Sequence, residues 1–281
     1  MCHTVRRWKP GVLARCAIVA IVSSGGGTVA SMQPPQGVQP AFATPAPEPP
    51  LFFREPWRQS TPFDASTGFE PERAVTQAAV TQPNLELKLY DPRAAEIPRL
   101  LKSPPAGTIA RDWGGPSCVQ LAGYNQNPPP ERVVAGQPTN PPNLWTGACQ
   151  SPVAVTLRDR ASYVDLRGLA RIRWVTRTSG FHVVRPVLKL ADGTFLVGDY
   201  AEGLASANST LFLESEFALA SVRWLTLDIA RVVTRGTWVE NPDLSRVDEV
   251  GFADLMPGSG HGWGGFVNVS RIEVYGTPVR R

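Results

Sequence analysis

The sequence predicts an all-β protein, an antiparallel β-sandwich preceded by long Pro-rich N-terminal loops. Three observations carry that prediction. From Val153 onward, short segments with period-two apolar alternation recur at regular spacing. No stretch shows the periodicity of a long helix. Prolines divide the chain, with 22 of the 28 between residues 31 and 150 and only 5 after that, so a loop-rich part precedes a strand-rich one.

The chain opens with Arg6, Arg7, Lys9 and Arg15, then an apolar run from Ala17 to Val22 and the small residues Thr28-Val29-Ala30. This is the charged, apolar and small-residue order of a secretory signal, read over residues 1–30. Arg6-Arg7 also permits a twin-arginine reading, although Trp8-Lys9-Pro10 fits that motif poorly. The full chain carries a net charge of +4, but residues 1–30 hold four basic groups and no acid, which leaves 24 basic against 24 acidic groups in the remainder. A neutral mature chain has no phosphate-neutralising field, so nucleic acid is not an expected partner. No apolar run approaches the roughly 20 residues of a membrane helix, and no membrane span is expected. The expected location is secreted or periplasmic.

Residues 31–50 are rich in Pro, Ala and Gln without periodicity and read as a disordered linker. A single sandwich domain is expected over 51–281, its loop-rich part at 51–150 and its main strands at 151–281. In the loop-rich part, Leu85 to Tyr90 alternates and puts Leu85, Leu87 and Leu89 on one strand face. Removal of the signal takes Cys2 and Cys16 with it. Cys118 and Cys149 then form an even pair in an exported chain, which favours a disulfide closing a loop that holds Pro128 to Pro130, Pro138, Pro141 and Pro142.

Strands are expected at 153–157, 163–165, 170–176, 181–190, 194–198, 210–214, 223–229, 249–253 and 267–275. Ala191-Asp192-Gly193-Thr194 supplies an Asp-Gly hairpin turn. Alternation places Ile172 and Trp174 opposite Arg173 and Arg177, and His182, Val184, Pro186 and Leu188 opposite Arg185, Val187 and Lys189. One sheet surface would then carry Arg173, Arg177, Arg185, Lys189 and Asp228 together. That surface is either a solvated outer face laced with ion pairs or a polar binding groove.

Three stretches occur in combination: Val164-Asp165-Leu166-Arg167-Gly168-Leu169-Ala170-Arg171-Ile172-Arg173-Trp174, Val187 to Thr194 with its Asp-Gly turn, and Asp243 to Phe252 leading to Ile272-Glu273-Val274-Tyr275-Gly276. Together they resemble the galactose-binding-like jelly rolls, including carbohydrate-binding modules and the complex-I intermediate-associated type. The resemblance covers about residues 150–276. It implies a jelly-roll β-sandwich that binds a polysaccharide or other glycan, needs no cofactor, and sometimes carries a structural calcium.

Sugar sites combine aromatic platforms with a few hydrogen-bonding side chains. Trp174 shares its face with Ile172 and is expected in the core. Trp238 and Trp263 lie in polar or Gly-rich stretches, and the segment from Pro257 to Phe266 sets His261 beside Trp263 among glycines that let backbone approach a ligand. The expected ligand-binding set is Trp263, His261, Trp238, Arg173, Arg185, Lys189 and Asp228. The sequence has no Gly-x-Ser-x-Gly, His-Glu-x-x-His or phosphate-loop motif. A non-catalytic carbohydrate-binding protein is the first expectation. A glycoside hydrolase or polysaccharide lyase using the polar sheet face is the second, and a structural envelope protein that binds another protein is the third.

Overall fold

A computed structural model of the chain describes residues 47–58, 75–93, 119–123, 141–146, 151–203, 212–256 and 265–281. Two antiparallel sheets face one another. The first contains β1 (Leu51–Glu55), β3 (Gln120–Ala122), β4 (Asn143–Trp145), β7 (Arg171–Ser179), β10 (Leu213–Ala218) and β14 (Phe266–Tyr275), in the order β10-β7-β14-β4-β3, with β1 also paired to β14. The second contains β2 (Leu85–Tyr90), β5 (Val153–Asp159), β6 (Ser162–Asp165), β8 (Val184–Leu190), β9 (Phe195–Gly198), β11 (Trp224–Asp228), β12 (Val233–Val239), β13 (Val247–Asp254) and β15 (Thr277–Arg280). Its main path is β12-β11-β9-β8-β13-β5-β2, and β6 links β13 to β15. The all-β sandwich expected from the sequence is the fold observed.

Alternation decides which residues enter the core. Along β7 every second residue is buried, so Ile172 and Trp174 pack inward against Val155, Leu157, Leu188 and Phe252 of the second sheet in one continuous cluster. Trp174 is fully buried, as its shared face with Ile172 requires. Leu85, Leu87 and Leu89 likewise meet the core from β2. Between β8 and β9 the Asp-Gly turn forms as expected: Leu190 N donates to Thr194 O, Thr194 N donates to Asp192 Oδ1, and Gly193 takes a φ of 91°.

Residues Ala46–Arg281 cluster into one compact unit, and the loop-rich part is built into it. Phe53, Trp57, Val75, Val80 and Val119 all belong to the main core. Glu55 fastens this part together. Its carboxylate is fully buried and accepts from Trp57 N at 2.9 Å, Thr81 N at 2.9 Å, Thr81 Oγ1 at 2.9 Å and Gln82 N at 3.1 Å. A Gln at this position would turn an NH2 group toward donors. Glu55→Gln is expected to cost about 2 kcal/mol of unfolding free energy, measured by urea denaturation; wild-type stability would show that the carboxylate is not the fastening.

The signal segment 1–30, most of the linker, Cys118, Cys149, His261 and Trp263 lie outside the described residues. The expected strand at 181–190 begins only at Val184, after a turn at Gly180; of the expected strand at 210–214, residues 210–211 lie outside the described residues, and β10 begins at Leu213.

Candidate functional site

The edge of the second sheet holds the arrangement best suited to a ligand. β11 turns Trp224 into the core, 2% exposed, and alternation turns its neighbour Leu225 outward, directly opposite Trp238 of the outermost strand β12. The next registered pair is Leu227 with Thr234, so one residue of β11 is opposed by three of β12. The extra residues Arg235-Gly236-Thr237 arch away from the ladder, and Gly236 accommodates the arch with a φ of 71°. Trp238 emerges beside this arch with 46% of its surface exposed.

Arg223 lies over the Trp238 ring, its guanidinium carbon 4.4 Å from the centroid. Asp199 fixes it there, accepting from Arg223 N at 2.9 Å and Arg223 Nε at 2.8 Å. Below them opens a depression of about 560 Å³. Leu219, Val222, Trp224, Val239 and Leu244 give it an apolar floor, and Arg223, Trp238, Glu240 and Asn241 stand at its rim. An apolar hollow of that size with a few hydrogen-bonding groups and an exposed indole is chemically suited to a small ligand or a sugar unit of a chain.

The other charged residues expected to share one face are divided between the two sheets. Arg173 and Arg177 lie on β7 in the first sheet, while Arg185 and Lys189 lie on β8 in the second. Arg173 belongs to an ion-pair lattice on the first sheet: its Nη2 is 2.7 Å from Glu216, and Glu273 is gripped by Arg54 at 2.9 Å and Arg271 at 3.0 Å. Burial alone would raise the Glu273 carboxyl, but the Tyr275 hydroxyl together with Arg54 and Arg271 holds it below its ordinary value. Arg177 donates to Asn268 Oδ1 and stacks over Phe212. Asp228 serves a turn, accepting from Ala230 N at 3.2 Å and facing Arg235 at 3.5 Å. The expected single surface is therefore corrected. Alternation places residues on a strand's face but does not say which sheet the strand joins.

On the outer face of the second sheet lies a carboxylate that the sequence reading did not single out. Glu249 of β13 is 1% exposed and accepts from Tyr90 OH at 2.8 Å, Thr156 Oγ1 at 2.5 Å and Lys189 Nζ at 2.8 Å. Tyr90 reaches across the small residues Ala154, Gly251 and Ala253 and meets Phe195 edge-on at 5.3 Å. Burial first, and the neighbouring Glu249 charge second, push the Tyr90 hydroxyl well above its ordinary value, so it remains a donor. Burial works against the Lys189 charge, but the bonds to Glu249 and Asp248 prevail and raise its pKa. Lys189 is thus committed to an internal pair. The signal for this cluster in the sequence is the Asp248-Glu249 pair at the entry of the otherwise apolar run Val250 to Ala253.

A second buried group joins the sandwich at β13. His182 Nδ1 lies 2.8 Å from Asp254 Oδ2, and Thr146 Oγ1 donates to the same carboxylate. The Thr146 hydroxyl therefore touches the carboxylate. Val267 N in turn donates to Thr146 Oγ1 at 3.0 Å, so the group ties β13 to β14.

Among the described residues no cluster of three or more His, Cys, Asp or Glu side chains is placed to hold a metal ion, and no helix is long and apolar enough to cross a membrane. Fold and site together define a β-sandwich with an aromatic depression at one sheet edge. No protein-family model matches the chain, and no curated protein matches it.

Proposed function

We propose that this is an exported, non-catalytic carbohydrate-binding protein of galactose-binding-like type, which holds a glycan at the Trp238 depression. The observation that carries the reading is the half-exposed Trp238, braced by Arg223 above an apolar hollow with Glu240 and Asn241 at its rim. A pyranose ring lies against the indole through its C–H face, and the rim groups take its hydroxyls. The leader-like first 30 residues support export. Lys189 and Arg173 support the fold, and Trp238 is the member of the expected ligand set around which binding is built.

The test is retention of the protein on a panel of neutral and uronic-acid polysaccharides, with soluble products followed in the same tubes. Retention without product is expected, and Trp238→Ala should weaken it about tenfold. Unchanged retention in that variant would move the site elsewhere. Product release would favour the hydrolase or lyase reading, and no retention on any glycan would favour a protein partner.

A further inference from the structure

Arg185 is 96% buried by accessible surface, being 4% exposed on the outer face of the second sheet. A guanidinium carries five N–H donors. One of them is used, Nε donating to Gly198 O at 2.8 Å. Among the described residues no carboxylate lies within ion-pair distance of it. Asp199 follows Gly198, whose carbonyl Arg185 bonds, and its charge acts on the guanidinium. Asp199 is already committed, with one oxygen taken by Arg223 N and the other by Arg223 Nε. The strand pairing of Trp224 with Gly198 continues to Arg223 beside Asp199, so a row runs Arg185, Asp199, Arg223 across three adjacent strands. With strands about 4.8 Å apart, the two arginines stand about 10 Å from each other, and Trp238 lies one strand farther on. Asp199, shared with Arg223, only partly offsets the burial of this guanidinium, and a planar anion arriving in its fork would complete the compensation.

We propose that Arg185 is a carboxylate subsite, so that the glycan taken at Trp238 is an acidic one containing uronate residues. This rests on the carbohydrate-binding reading and narrows its ligand class. The Trp238 ring stacks one sugar while the Arg185 fork takes the carboxylate of another on the same chain. Lys189, four residues along β8, does not contribute, because Glu249 and Asp248 hold it.

The experiment is calorimetric titration of the full chain with oligogalacturonate, oligoglucuronate and oligomannuronate, each beside its methyl ester, which keeps the sugar and removes the charge. At least one acid form should bind about tenfold tighter than its ester. Arg185→Gln should abolish that preference while leaving ester binding unchanged, and Arg185→Lys should restore part of it. Should Arg185→Gln melt early, Asp199→Asn serves instead, since removing the competing carboxylate should increase the acid preference. Equal affinity for acid and ester, or an acid preference that survives in Arg185→Gln, overturns the subsite and leaves the carbohydrate reading intact. If neither acids, esters nor neutral glycans bind, both fall together.

Discussion

Glu249→Ala is expected to cost about 4 kcal/mol of stability and Glu249→Gln about 2 kcal/mol, with glycan retention unchanged in both. The carboxylate sits near the start of β13, 1% exposed, and three donors converge on it. Truncation to Ala leaves the Lys189 ammonium without its 2.8 Å partner and the Tyr90 and Thr156 hydroxyls without an acceptor. Lys189 keeps Asp248 at 3.4 Å, which moderates the loss. Asp248 is itself held by Arg158 and Arg281, whose bonds outweigh its burial and lower its pKa, so it can accept a further cation. Gln preserves the shape and one acceptor oxygen but removes the charge that the ammonium answers, hence the smaller loss. Guanidinium denaturation of the two variants measures this directly. Wild-type stability in Glu249→Ala would show that the cluster is not a structural plug. Loss of glycan turnover in a fully stable Glu249→Gln would make this carboxylate the acid or base of an enzyme.

The distinction between plug and site also explains which parts of the molecule were legible from its residues. β7 alternates without exception, and its reading as a strand with Trp174 inward needed no tertiary information. β5, β9, β14 and the Asp192-Gly193 hairpin were legible too, although the burial of these three strands does not alternate strictly. β12 was missed because its Arg235-Gly236-Thr237 arch breaks the period-two pattern on which strand recognition depends. β1, β3 and β4 are three to five residues long, and β15 is four, too short to show a period between prolines and glycines. Trp238 was recognised as a polar-context tryptophan, but its depression is assembled from Leu219, Val222, Val239 and Leu244 on separate segments, and nothing local to any of them marks it. Glu249 was hidden for a related reason. In a strand buried on both faces, an acid among apolar residues reads as an outward, solvated one, unless the partners Tyr90 and Lys189 are already known to lie above it.

Gly251→Ala is expected to lower stability by roughly 3 kcal/mol, since overpacking against rigid neighbours costs at the upper end of its range, and to drop the melting temperature by about 10 °C. Gly251 lies in the middle of β13, between Thr156 of β5 and Val187 of β8. A Cβ added there would sit 1.9 Å from Val155 O and 2.6 Å from Thr156 Cα. Both are backbone atoms of the neighbouring strand, so no rotamer change relieves the clash. The β13-β5 ladder must open instead, and that ladder carries Glu249 on one side of the glycine and Ala253 on the other. Gly193 and Gly236 provide the contrast: a Cβ at either meets nothing within 4 Å, and Ala there bears only the left-handed backbone strain, about 1 kcal/mol. The Val250-Gly251-Phe252 run is therefore glycine for want of space, not for want of backbone freedom. If thermal unfolding placed Gly251→Ala within 1 kcal/mol of the Gly193→Ala variant, the close approach of β13 to β5 would be wrong. The placement of Glu249 under Tyr90 would then fail with it.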